Sequence, residues 1–270
     1  MIDTLLSMED RRIDALASEL FNALRQRATL APLTEREHGI TTADAYRISS
    51  AMLQRRLAEG ERLIGKKIGV TSKAVQDMLG VHEPDFGFLT DRMQVDDGAT
   101  VSLSRSGLIQ PRAEGEIAFV LRQDLGGPGV TRGDVLDATE CVCPCFEIVD
   151  SRIRDWKIRI QDTVADNASC GIFVLGSTRV APRALDLAAV RLDLFRNDRL
   201  AGSGVGSAVQ GHPAEAVAWL ANTLGAFGIR FLKGDVVLSG SIAPLVPVAV
   251  GDRFTMQIEG LGGCSIAFTD

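Results

Sequence analysis

Glu114 and Glu116 stand two apart in Pro111-Arg-Ala-Glu-Gly-Glu-Ile-Ala-Phe-Val-Leu121, and Glu147 lies in Cys145-Phe-Glu-Ile-Val149. Side chains of an extended segment alternate faces, so Glu114 and Glu116 project the same way. The opposite face carries Gly115, Ile117, Phe119 and Leu121, which is a core face. Two like charges beside a core are costly, because each is partly desolvated and repels the other. A divalent cation removes that penalty. Carboxylate oxygens with room for water and substrate suit Mg²⁺ or Mn²⁺ better than zinc. The alternative is an edge strand with its Glu face in water. Glu147 weighs against it, since an unpaired charge is hard to tolerate in that apolar run.

Two other groups have types suited to the same chemistry. Lys67 sits inside Gly65-Lys-Lys-Ile-Gly-Val-Thr-Ser72, an otherwise apolar, Gly-flanked segment, where the alternative is a strand-end lysine reaching water. Asp85 lies in Val81-His-Glu-Pro-Asp-Phe-Gly-Phe-Leu89, which reads as a polar loop, so Asp85 is equally a turn aspartate. His82 and His212 have no partner at ligand spacing and read as loop residues. Asp150-Ser-Arg152, Asp166-Asn-Ala-Ser169 and Ser239-Gly-Ser241 are pocket walls or strand-end turns. Cys141, Cys143 and Cys145 alternate without the spacing of a zinc site and read as small buried residues on the face of Glu147. Gly202-Ser-Gly-Val-Gly-Ser207 lacks the lysine and the strand–helix context of a phosphate loop; a tight turn or close backbone approach explains its glycines better.

The elements that must position these residues fall into two parts. Ile13, Leu16, Leu20 and Leu24 recur at helical spacing, and Thr41-Thr-Ala-Asp44 opens a second helix that carries Tyr46, Leu53 and Leu57 to Gly60. From about residue 62, β-branched runs alternate with Gly, Pro and Asp. Strands are expected at Ile64–Val70, Thr100–Leu103, Gly115–Leu121, Cys143–Val149, Cys170–Leu175, Val190–Arg196, Asp235–Leu238 and Arg253–Ile258. Helices are expected after Ser72 as far as Gly80, at Arg132–Thr139 and at Pro213–Phe227. Without regular strand–helix alternation this is an α+β chain: an N-terminal helical appendage (1–61) and a mixed β-rich domain (62–270).

With 46% hydrophobic residues and a net charge of −6 over 270 residues, the chain has the composition of an ordinary soluble protein. The acidic balance argues against nucleic acid and anionic membranes as partners, and no run is long enough to span a bilayer. The first residues lack the basic start and apolar stretch of a signal peptide, which with five cysteines that fit a reducing compartment suggests the cytoplasm. Leu245-Val-Pro-Val-Ala-Val250 and the N-terminal helices offer apolar area that fits a homo-oligomer.

Gly65-Lys-Lys-Ile-Gly69, Pro84-Asp-Phe-Gly87, Glu114-Gly-Glu116, Glu147-Ile-Val-Asp-Ser-Arg152, Ala165-Asp-Asn-Ala-Ser169 and Ala218-Trp-Leu-Ala-Asn222 follow one another in this order. As an ordered set they resemble the 2-oxopent-4-enoate (2-hydroxypenta-2,4-dienoate) hydratases of aromatic meta-cleavage pathways, within the fumarylacetoacetate-hydrolase-like superfamily. The resemblance runs from about residue 40 onward and departs from the family at the cysteine-rich run before Glu147. It implies the β-roll or sandwich fold of that superfamily. Glu114, Glu116 and Glu147 would hold Mg²⁺ or Mn²⁺, which chelates a small 2-oxo or 2-hydroxy acid. Lys67 would assist at the C2 oxyanion and Asp85 would move protons, its pKa raised by a water-excluding Phe86. Phe86, Ser169 and Ser241 are the implied substrate contacts. Three other readings stand beside it. One is the sister 2-oxo-3-hexenedioate (4-oxalocrotonate) decarboxylase, and another an acylpyruvate C–C hydrolase, for which no His–Glu pair is seen. The last is a non-catalytic metal-binding subunit, which has no need of Lys67 and Asp85.

Overall fold

The computed structural model describes residues 8–72, 76–77 and 81–270. The helix expected between Ser72 and Gly80 therefore lies largely outside the described residues. The chain begins with α1 (Asp10–Gln26), α2 (Leu33–Arg36) and α3 (Thr42–Ala58). The Thr41 hydroxyl accepts from the Asp44 amide and the Asp44 carboxylate accepts from Thr41 in return, so the expected capping box opens α3. Ile13, Leu16, Leu20, Ile48 and Met52 share one apolar cluster with Ile153, Val164 and Ala165. The N-terminal helices thus pack on the segment that leads from β6 (Thr139–Val149) to β7 (Cys170–Leu175).

The strands before and between those two are β1 (Leu63–Gly69), β2 (Asp85–Thr90), β3 (Gln94–Val95), β4 (Thr100–Ser102) and β5 (Arg112–Leu121). After them come β8 (Arg191–Arg196), β9 (Arg199–Val205), β10 (Val236–Leu238), β11 (Val246–Pro247), β12 (Arg253–Ile258) and β13 (Gly262–Thr269). One sheet runs β2-β1-β10-β5-β6-β7-β3, with β11 also paired to β5; the other runs β4-β13-β12-β8-β9. Helices α4 (Arg132–Ala138), α5 (Ile160–Ala165) and α6 (Pro213–Gly225) fill the connections. Period-two alternation splits the larger sheet into two faces. Ile117, Phe119, Phe146 and Ile148 join Leu192, Phe254, Ile266 and Phe268 of the smaller sheet in the main core, where the rings of Phe146 and Phe254 meet edge to face at 6.4 Å. The other face carries a smaller apolar layer of Ala118, Cys143, Cys145, Cys170, Phe173 and Leu238. Above that layer stand the carboxylates.

Every expected strand is present, and other expectations are corrected. Val81–Leu89, read as a loop, is strand from Asp85 onward; its polar start masked the fully buried Phe86–Leu89 run. The Gly202–Ser207 stretch is mostly strand β9 rather than a turn, and a Cβ on Gly204 would lie 1.9 Å from the carbonyl oxygen of Ile242. Close backbone approach is the reason for that glycine. Pro144 lies inside β6, opposite Ile117, in a strand that begins four residues earlier than expected at Thr139. Within residues 245–250, Val246 is buried against β5 while Val250 is exposed; Leu200, Phe227 and Leu232 are other exposed apolar side chains. No helix among the described residues is long and apolar enough to cross a membrane.

Candidate metal centre and its surroundings

Strands β5 and β6 are antiparallel neighbours in a register that sets Glu114 directly opposite Glu147 and Glu116 opposite Cys145. With the alternation of both strands, this brings all three glutamates to one face. Their oxygens lie within 4.8 Å of one another, the only such cluster of potential metal ligands among the described residues. Two oxygens that share one small cation at ~2.1 Å are at most ~4.2 Å apart, so only slight side-chain movement separates this arrangement from a ligand set. Glu116 and Glu147 are fully buried, while Glu114 keeps partial access to solvent. Oε1 of Glu116 and both oxygens of Glu147 accept no hydrogen bond. Buried carboxylate oxygens left in that state are strongly unfavourable, and a hard cation is the partner that fits an all-oxygen donor set.

The electrostatics agree. Burial first, and then the charge of Glu147, push the Glu114 carboxyl up to about 8. The same two causes hold Glu116 well above the usual carboxylate range, even though its Oε2 accepts the Gly240 amide at 2.8 Å. Gly240 has φ +112, a backbone state that glycine tolerates, and that conformation aims its N–H at the carboxylate.

Lys67 and Asp85 complete the group. Lys67 Nζ lies 3.2 Å from Glu147 Oε1, with the lysine 3% exposed. Burial opposes the ammonium, but Glu147, Asp85 and Glu114 outweigh it and raise the lysine pKa, so Lys67 is charged. Asp85 pairs with Gly69 across β1 and β2. A Cβ on Gly69 would stand 2.3 Å from Asp85 Oδ1 and 3.3 Å from Lys67 Nζ. The second glycine of Gly65-Lys-Lys-Ile-Gly69 is therefore the space in which the lysine and the aspartate meet. Desolvation, only partly offset by Lys67, moves the Asp85 carboxyl up to about 6, and its Oδ1 has no hydrogen-bond partner.

Phe86 is not in this group. Alternation turns its side chain to the opposite face of β2, where its ring stacks on Tyr46 of α3 at 4.3 Å. Asp85 is raised by its burial as a whole and not by a shield of Phe86. Ser169 and Ser241 both have their hydroxyls engaged: Ser169 with Thr163 at 3.2 Å, Ser241 donating to the Ala243 carbonyl at 2.7 Å. Ser241 nevertheless follows the Gly240 amide that holds Glu116, so it stands at the edge of the centre. Asn167, Ala168 and Ser169 all adopt left-handed backbone (φ 56°, 49° and 52°), a conformation that costs roughly 1–2 kcal/mol for each non-glycine residue. The Asn167 side chain holds this turn through the amide and carbonyl of Phe88. Asp166 anchors it by accepting from the Arg152 amide and guanidinium, and the Ser169 carbonyl accepts from Asp150. The next residue, Cys170, is buried with its thiol pushed well up, by desolvation and then by the Glu147 charge.

Sequence reasoning names Ser239-Gly-Ser241 as a possible pocket wall without giving Gly240 a role, and it misses Cys170 and Tyr46. Tyr46 shows no motif; it reaches the site through the packing of α3 on β2, and burial and then the charge of Asp85 raise its phenol pKa. His212 is no ligand: its Nδ1 accepts the Ala214 amide and so caps α6.

Residues 63–268 match the family described as fumarylacetoacetate (FAA) hydrolase C-terminal. The chain belongs to that family. It is 67% identical over 264 residues to a 2-hydroxyhexa-2,4-dienoate hydratase of Comamonas testosteroni, covering 97% of this chain and all of the relative. A 2-hydroxypent-2,4-dienoate hydratase of Pseudomonas putida is 62% identical over 222 residues, 82% of this chain and again the whole relative. Among solved structures, the 4-oxalocrotonate decarboxylase from Pseudomonas putida G7, complexed with magnesium and adipate, superposes with a TM-score of 0.94 at 36% identity. That match covers 97% of this chain and 99% of the decarboxylase.

Proposed function

We propose that the protein is a divalent-metal-dependent hydro-lyase that converts 2-hydroxypenta-2,4-dienoate to 4-hydroxy-2-oxopentanoate. The observation that carries this reading is full-length similarity to hydratases of short 2-hydroxydienoates, joined to a buried glutamate trio with a lysine and an aspartate beside it. The two relatives differ in substrate name by one carbon, so the methyl homologue belongs to the same substrate class.

Glu114, Glu116 and Glu147 would hold Mg²⁺ or Mn²⁺. Such a cation supplies Lewis-acid polarisation at the substrate carboxylate and C2 oxygen. Lys67, charged and fixed by Glu147, places an ammonium where negative charge grows on the C2 oxygen as the enol proton leaves. Protonation of C5 then gives the conjugated 2-oxo-3-enoate. Water adds at C4 and a proton returns to C3, so one water is consumed in total. Asp85, with a pKa near 6, can both take and give a proton close to neutral pH, as general acid–base catalysis requires. Ser241 stands beside this path as a substrate contact, and we extend the proposal to a cytoplasmic homo-oligomer using the exposed Leu200, Phe227 and Leu232.

The decarboxylase reading is favoured by the structural neighbour alone. Purified protein with Mg²⁺ and either dienoate should lose the ultraviolet absorbance of the substrate and release no CO₂ from 2-oxo-3-hexenedioate. CO₂ release with inert dienoates would replace the hydratase by the decarboxylase.

A further inference from the structure

A second charged environment lies apart from the glutamates. Arg25, Arg27, Arg56, Arg92, Arg105 and Arg152 all line one cavity of about 280 Å³, where the ends of α1 and α3 meet β7 and the turn at 105–108. Its only carboxylates among the described residues are Glu61 and Asp150. In a chain of net charge −6, this is a concentrated positive field.

Two of the arginines are buried, Arg56 at 8% exposure and Arg152 at 1%. A guanidinium offers five N–H donors. Arg56 spends one on Glu61 and one on Thr90, and Arg152 spends three on Asp166 and the Cys170 carbonyl. The other donors of both make no hydrogen bond to the protein among the described residues. Arg105, at the rim, makes no ion pair or side-chain hydrogen bond among them at all. Asp150 adds the opposite need. Its Oδ1 accepts the amides of Ile109 and Gln110, but Oδ2 is buried without a hydrogen bond and 3.9 Å from Arg152 Nη1. Asp166 and Glu59, outside the lining, pair with Arg152 and Arg25, which leaves Arg27, Arg92 and Arg105 without a carboxylate partner among the described residues; water would satisfy the open hydrogen bonds but would not compensate that remaining charge.

We propose that this cavity binds a small oxyanion that carries an acidic O–H, hydrogen phosphate being the simplest. Arg56, Arg105 and Arg152 hold its oxygens, and Asp150 Oδ2 accepts its proton-bearing oxygen. A phosphate monoester presents the same acidic O–H in its singly ionised form, below a second pKa of about 6, and the cavity is large enough to admit one. Sulfate has nearly the same size and charge but no proton near neutrality, so it would set an oxygen against the Asp150 carboxylate.

The test is calorimetric titration of the whole protein with inorganic phosphate, with glycerol phosphate and with sulfate. Saturable phosphate binding at least about tenfold tighter than sulfate is expected, equivalent to ~1.4 kcal/mol. Arg105→Ala, at an exposed and unpaired side chain, should weaken phosphate about tenfold without changing the melting temperature of the free protein, and Asp150→Asn should close the gap to sulfate. Tighter glycerol phosphate would make the natural ligand a monoester, tighter phosphate the free ion. Glu116→Gln should bind phosphate normally, which keeps this test independent of the hydratase reading. Absent or unsaturable binding, equal sulfate affinity, indifference to Arg105→Ala, or loss in Glu116→Gln would each overturn the proposal.

Discussion

The two buried charged regions on either side of Cys170 are unbalanced in opposite directions. Around Glu147 there are four carboxylates to one ammonium, and several oxygens lack partners. Around Arg152 the arginines dominate, but Asp166 meets its guanidinium and amide, and Glu61 meets both Arg25 and Arg56. The charge around Glu147 waits for a ligand, whereas the Arg152–Asp166 and Arg56–Glu61 pairs hold the fold and leave only the spare donors of the cavity for an anion. The first kind is fixed by strand register alone; the second is stitched by side chains across elements. A group removed from the first should therefore abolish function with little effect on folding, and a group removed from the second should do the reverse.

The largest effect is expected at the glutamates. Chelation by EDTA or Glu116→Gln should abolish turnover, and Glu116→Gln should leave the metal-free melting temperature equal or higher, because it removes charge from a like-charged cluster. Full activity in a metal-free preparation would break the comparison outright. Next, Asp85→Asn should keep metal and substrate-analogue binding but lose at least ~100-fold in turnover, with a parallel loss of solvent deuterium uptake into product carbon. Lys67→Ala should likewise act on turnover; a change of less than about twofold, under ~0.5 kcal/mol, would make the lysine structural.

Asp166→Asn tests the other side. It leaves Arg152 buried without its counter-charge and should cost about 3–5 kcal/mol of stability, read as a lowered urea midpoint. The folded fraction should still bind Mg²⁺. If stability is unchanged while metal binding is lost, the assignment of fold and function to the two regions is reversed.

A pH series sharpens the contrast with the smallest changes. The folded-state pKa values of Glu114 and Glu116 are raised above their ordinary 4.5, Glu114 to about 8. Their contribution to stability is present below about 4.5, and that of Glu114 is lost as pH rises through about 8. Metal-free protein should therefore melt lower at pH 8 than at pH 5. Cation binding displaces these protons, so Mg²⁺ affinity should increase over the same interval and restore the lost stability. A metal-free melting temperature that rises between those two pH values would contradict the shifts.

Much of the centre was legible because strands translate spacing directly into direction. Two glutamates separated by one residue share a face whatever the rest of the chain does, and Gly65-Lys-Lys-Ile-Gly69 set a lysine inside an apolar, Gly-flanked segment. Phe86 was misplaced for the same physical reason that Glu114 was placed well. Once Asp85 is seen to lie in a strand, its neighbour must face away, but the proline and histidine before it gave the segment the look of a loop. Cys170 and Gly240 were out of reach because their position depends on a left-handed turn and on a glycine conformation that no periodicity reveals. The N-terminal helices were visible as helices, while their contact with the 150–169 segment was not; we propose that residues 1–61 serve the 62–270 body as a buttress for that turn.

The pairing of Glu114 with Glu147 has one more consequence. These strands are joined through a connection of seventeen residues, Arg122 to Ala138, which leaves the hairpin free to sample neighbouring alignments as it forms. A slip by a single residue would send one member of the pair to the opposite face and split the trio. The native alignment gathers the glutamates around one ion and a one-residue slip does not, so a cation present during folding would act as a proofreader against such slips, stabilising the correct hairpin and not those shifted competitors.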